Sequence, residues 1–168
     1  MSDEVARWAW LLLPATGVLD GIDLSLLDPG DEGDRHFLFM AEHPGLADAI
    51  ENDEDEIDLG HTGGTMSPRL HLAMHEVVAN QIWHDDPPEV WSTAQRLTQA
   101  GYDRHEVLHM IASVVSADAY NIMTQKAPFD IARTRRQLAA LPCSWEALRE
   151  PAPQNRAARR AHARKRQH

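Results

Sequence analysis

Residues 67–84 read SPRLHLAMHEVVANQIWH, and residues 103–125 read DRHEVLHMIASVVSADAYNIMTQ. Each stretch carries two histidines four positions apart, His71 with His75 and His105 with His109. Residues at i and i+4 of an α-helix share a face, with Cβ atoms about 5–6 Å apart, so each pair can offer two imidazoles to one metal ion. Leu72, Met74, Val77, Val78, Ile82 and Trp83 in the first stretch keep a helical apolar pattern, as do Val107, Leu108, Ile111, Val114, Val115, Ala119, Ile122 and Met123 in the second.

The helix ends are written locally. Ser67-Pro68 is an N-cap followed by proline at the first helical position, and Pro87-Pro88 stops that helix after His84-Asp85-Asp86. Asp86 is the expected cap of a second helix through Val90, Trp91, Ala94 and Leu97, which Gly101 ends. Asp103 caps a third that runs to about Gln125, a length of about 33 Å at 1.5 Å per residue. Short connections join antiparallel neighbours, so the first and third helices should run parallel. The two histidine pairs then differ in axial position by only about 3 Å, and all four imidazoles should meet near one end of a bundle.

Outward from this segment, residues 127–129 form a break, and Asp130 caps a fourth helix of Ile131, Ala132, Leu138 and Leu141, with Arg133, Arg135 and Arg136 on its exposed side. A short helix capped by Ser144 should follow. Residues 1–60 form an acidic region broken by Gly17, Gly21, Pro29, Gly30 and Gly33. Val5 to Leu13 reads as a helix or a strand, residues 36–40 and 46–50 as two short helices, and the acidic run 51–56 as a solvated linker. That run lacks the alternating ligands and central glycine of a calcium loop. The expected architecture is all-α: a helical bundle over residues 65–150, preceded by the partly irregular acidic region 1–60 and followed by a disordered basic tail, 151–168.

Charge follows the same divisions. The formal net charge is −10 over 168 residues, with 26 acidic against 16 basic side chains. Residues 1–66 hold 16 acids against Arg7 and Arg35, residues 67–149 are near neutral, and residues 150–168 hold six bases against Glu150. The basic tail has no aromatic for base stacking and no folded reader motif, so nucleic-acid contact is not the favoured reading. The one cysteine, Cys143, excludes an internal disulfide framework and suits a reducing compartment. The apolar run 8–13 follows Asp3 and Glu4 and is too short to span a bilayer; no secretory signal, no membrane partner and a cytoplasmic location are expected. The sequence leaves the oligomeric state open.

The candidate metal ligands are therefore His71, His75, His105 and His109. Residues 105–109 also fit the H-E-x-x-H pattern of zinc hydrolases, with Glu106 as general base. Glu106 has a competing role, because it lies three positions after Asp103, where it can close a capping box. Glu76 points about 100° away from His75 around the helix and is a weaker candidate. His84 reads as a C-terminal cation favoured by the helix dipole, and His36, His43, His61, His162 and His168 have no partner at ligand spacing. Zinc is the expected ion, with iron or manganese as alternatives. Only residues 106–109 have the Glu-x-x-His form of a ferritin-like di-iron centre, which needs more carboxylates than this chain offers.

Residues 67–76, then Asp85-Asp86-Pro87-Pro88, then residues 101–109 carry a resemblance. With their paired H-x-x-x-H-E and R-H-E-x-x-H motifs, they resemble an uncharacterised family of small bacterial helical proteins, a domain of unknown function. The resemblance spans residues 65–125 and implies a cytoplasmic helical protein without an assigned activity. Two functions follow from the residues. With three protein ligands and a water, the centre is hydrolytic, acting on a small-molecule or peptide amide, ester or phosphoester. With four histidines closed around the ion, the protein is a structural or interaction module.

Overall fold

The computed structural model describes residues 3–12, 17–19, 21–28, 30–58, 65–126 and 128–149. Among these, eight helices carry the architecture: α1 (Asp3–Leu12), α2 (Glu32–Glu42), α3 (Pro44–Glu51), α4 (Pro68–His84), α5 (Pro88–Gln99), α6 (Arg104–Gln125), α7 (Ile131–Ala139) and α8 (Cys143–Arg149). The fold is all-α. Among the described residues, extended structure is confined to two short antiparallel pairs, β1 (Val18–Leu19) with β2 (Ile22–Asp23) and β3 (Ile57–Asp58) with β4 (Thr65–Met66). No helix among the described residues is long and apolar enough to cross a membrane.

The end signals work largely as the local chemistry dictates. Asp103 accepts a hydrogen bond from the Glu106 N–H at the start of α6, and Asp130 accepts from the Ala132 and Arg133 N–H groups at the start of α7. At the end of α5, the Tyr102 N–H bonds the Leu97 carbonyl and the Gly101 N–H bonds the Thr98 carbonyl. This Schellman arrangement needs the left-handed backbone that Gly101 adopts, with φ 98°. Two caps differ from expectation. Pro87, not Asp86, occupies the N-cap of α5, and neither it nor Ser67 makes a side-chain cap bond; proline inside the first turn already removes one of the donors that a cap would satisfy. Helix α8 begins at Cys143, which is exposed, so Ser144 lies within the helix.

Helix α4 packs against α6, with α5 bridging both, α7 closing over α5 and α6, and α1, α2 and α3 laid on α4. The core joins Val78, Ala79 and Ile82 of α4 to Val107, Leu108, Met110, Ile111 and Val114 of α6 and to Val90, Trp91, Ala94 and Leu97 of α5. Full burial of each such aliphatic side chain contributes about 1.5–3 kcal/mol. Trp10 and Leu11 of α1, Phe39 of α2 and Leu46 of α3 belong to the same cluster. The acidic front of the chain is thus packed onto the bundle, and the α2–α3 junction lies over the histidine face of α4. Residues 52–56 form the exposed bend that the acidic run implied, ahead of β3. The basic tail, 151–168, lies outside the described residues, as do His61, His162 and His168.

Candidate metal centre

The N-terminal turns of α4 and α6 bring both histidine pairs together. Ring centroids lie 4.8 Å apart for His71 and His75, 4.4 Å for His105 and His109, 4.8 Å for His75 and His109, and 5.1 Å for His71 and His109. Both pairs sit near the starts of their helices and meet, as parallel neighbours require.

A fifth imidazole completes the cluster. His43, at the junction of α2 and α3, stands 4.5 Å from His105 and 4.7 Å from His75, centroid to centroid. One nitrogen from each of His43, His75, His105 and His109 can be chosen so that all lie within 4.8 Å of one another. His71 adjoins this set, with its Nε2 3.2 Å from His43 Nε2 and 3.1 Å from His75 Nε2. Around a tetrahedral ion with bonds of about 2.0–2.1 Å, neighbouring nitrogens are about 3.3 Å apart. The cluster is therefore close to ligand spacing. His43 has no histidine at i±4, so helical periodicity gives no sign of it; the only local hint is a histidine wedged between Glu42 and the helix-starting Pro44.

The nitrogens are oriented by their outer partners. His43 Nδ1 lies 2.7 Å from the Phe39 carbonyl oxygen, to which it donates, and this leaves the Nε2 lone pair facing the cluster. His105 Nδ1 lies 3.6 Å from Glu42 Oε2, while Glu42 Oε1 accepts from Arg104. The sequence pattern misses this buried carboxylate too. Burial pushes the Glu42 carboxyl up, but hydrogen bonds and charge from His105 and Arg104 outweigh it and hold the group below its ordinary value. Burial drives the His75 pKa far down, and its four histidine neighbours add to the effect; burial also lowers His43. Both are neutral near pH 7, the state in which imidazole binds a metal.

This polar cluster suits a cation. His75 is 1% exposed, and its Nδ1 has no hydrogen-bond partner among the described residues. His71 Nε2 carries at most one proton, so it can make only one well-aligned hydrogen bond to the two nitrogens beside it. An unsatisfied buried polar atom costs about 1–3 kcal/mol, and a ligand to that nitrogen would offset the cost.

Two sequence candidates, Glu76 and His84, are placed elsewhere. Glu76 lies 2.5 Å from His36 Nδ1, and exposed His84 ends α4. The Glu106 N–H donates to Asp103 Oδ1 at 2.9 Å, which is the forward half of a capping box. Glu42 places a buried carboxylate beside His105. Glu42→Gln should leave His105 less firmly oriented and weaken metal binding by about 10–100-fold, read by calorimetric titration of the metal-free protein; unchanged affinity would remove Glu42 from the site.

A cavity of about 360 Å³ reaches the cluster from one side. Its walls are His43, His71 and His109, with Gly45, Leu46, Ile57 and Asp58.

Over residues 33–139 the chain matches a family described as a domain of unknown function, DUF1841, and it belongs to that family. The matched segment runs from α2 to the end of α7 and contains all five clustered histidines and Glu42. No curated protein and no solved structure matches the chain.

Proposed function

We propose that this protein binds a divalent transition-metal ion through His43, His75, His105 and His109, with His71 as an adjoining fifth donor. The observation that carries the reading is the set of four ligand nitrogens within 4.8 Å of one another, supplied by three separate segments of the fold. All-imidazole donors suit zinc, our first assignment, with iron or manganese as alternatives. Glu42 is already engaged by Arg104 and His105, which speaks against its bridging two ions and for a mononuclear centre. Metal analysis of the purified protein, with titration of the metal-free form by zinc, iron(II) and manganese(II), should show one ion per chain. Absence of saturable binding for all three would end this reading.

A second reading is metal-dependent hydrolysis of a small-molecule or peptide substrate, favoured by the cavity beside His43, His71 and His109. A bound ion would supply Lewis-acid activation of water, and Glu106 would accept the proton. Glu106→Gln should then keep metal content while turnover falls about 10²–10⁴-fold. If Glu106 only caps α6, the exchange is nearly neutral, because glutamine serves the capping box equally. A cytoplasmic location fits the lone Cys143.

A further inference from the structure

Five imidazoles converge where a tetrahedral ion takes four and an octahedral ion takes six. In either geometry the donor count leaves one position unlike the rest: with four ligands one histidine is left over, and with six one place is unfilled by histidine. Helix packing does not treat the five equally. His75 is enclosed at 1% exposure, and Phe39 tilts against its ring at 5.6 Å. His43 is anchored through the Phe39 carbonyl, and His105 Nδ1 faces Glu42 Oε2 at 3.6 Å. His71 is itself buried at 8% exposure, but it is outside the mutually close set of four, and it lines the cavity together with His43 and His109.

From this arrangement, and resting on the metal-binding reading above, we infer that the cavity-side coordination position is exchangeable between His71 and a small neutral nitrogen- or oxygen-donor molecule. The walls define that ligand class. Leu46 and Ile57 give apolar contact, whereas Asp58 puts a carboxylate on the same wall. The acidic run 51–56 leads directly into this wall. A neutral donor with an apolar body matches the Leu46 and Ile57 walls. A cavity of about 360 Å³ has room for a small organic molecule.

Imidazole is a suitable probe and cobalt(II) a suitable reporter, because the visible bands of cobalt(II) follow its ligand set. The full-length protein loaded with cobalt(II) is titrated with imidazole, alongside His71→Ala, Gly45→Leu and Ile57→Trp. A Cβ at Gly45 would meet nothing within 4 Å, so leucine adds bulk beside the site without a clash at its root, and Ile57→Trp adds bulk from a different element. The expected results are a saturable spectral shift in the wild type and at least tenfold tighter imidazole binding in His71→Ala. The shift should be lost in the two filled-cavity variants, with cobalt still bound one per chain. If cobalt binds but imidazole moves neither the wild-type nor the His71→Ala spectrum, the centre is closed and the inference falls while the metal-binding reading stands. A wild-type response in both filled-cavity variants overturns the cavity as the route. Failure of cobalt to bind to the wild type overturns the metal reading and this inference with it.

Discussion

His75→Ala is expected to remove the metal and the metal-linked stability together. His75 is central to the cluster, with ring contacts to His43, His71, His105 and His109 and 1% exposure. A ligand that binds only the folded state adds RT ln(1 + [L]/Kd), about 4.1 kcal/mol at a thousandfold excess over Kd. If loss of His75 weakens binding 100-fold, the same metal concentration adds only about 1.4 kcal/mol. The contrast is read by chemical denaturation with and without zinc. His109→Ala should behave like His75→Ala, because it removes a ligand of the same set. His84→Ala is the matched control, an exposed histidine outside the cluster. An equal zinc-induced gain in the wild type and in His75→Ala would sink the ligand assignment.

Arg104→Ala should destabilise the fold by about 3–5 kcal/mol, the range for stripping one partner from a buried ion pair. The Arg104 side chain is 9% exposed and Glu42 13%, and they are paired. The guanidinium also donates to the Leu11 carbonyl at 2.9 Å and lies over the rings of Trp10 and Phe39. It therefore ties α1 and α2 to the start of α6, beside the histidines. Alanine would leave the Glu42 carboxylate buried with only His105 nearby. The pH dependence gives the same contact a second signature. With the Glu42 carboxyl held below its ordinary value of 4.5, its contribution is present above about pH 4.5 and fades as pH falls through the lower folded-state value. Arg104→Ala should blunt that acid loss. A shift in denaturation free energy under about 1 kcal/mol, the level of exposed pairs, would show that the pair is solvated.

Much of the bundle was legible because its signals are local. The Pro68 start of α4, the Gly101 stop of α5 and the Asp103 and Asp130 caps act within a turn of the residues that carry them. The i, i+4 spacing placed His71 with His75 and His105 with His109, and short connections made α4 and α6 parallel. The front of the chain was harder. Val5 to Leu13 was compatible with helix or strand by pattern alone, and its choice of helix comes with the burial of Trp10 and Leu11 against the bundle.

By itself, the sequence determined the helices of the bundle from residue 67 onward, their order and the faces on which four histidines lie, since each depends on spacing along one segment. Only the tertiary structure decided what covers those faces. It brought Glu42 and His43 from the end of α2, 26 and 25 residues before α4 begins, and left His71 beside the cavity. Periodicity records which side of a helix is turned inward. It carries no record of which distant loop meets that side, because the meeting is fixed by the packing of Phe39 and Leu46 into a core shared with α4 and α6.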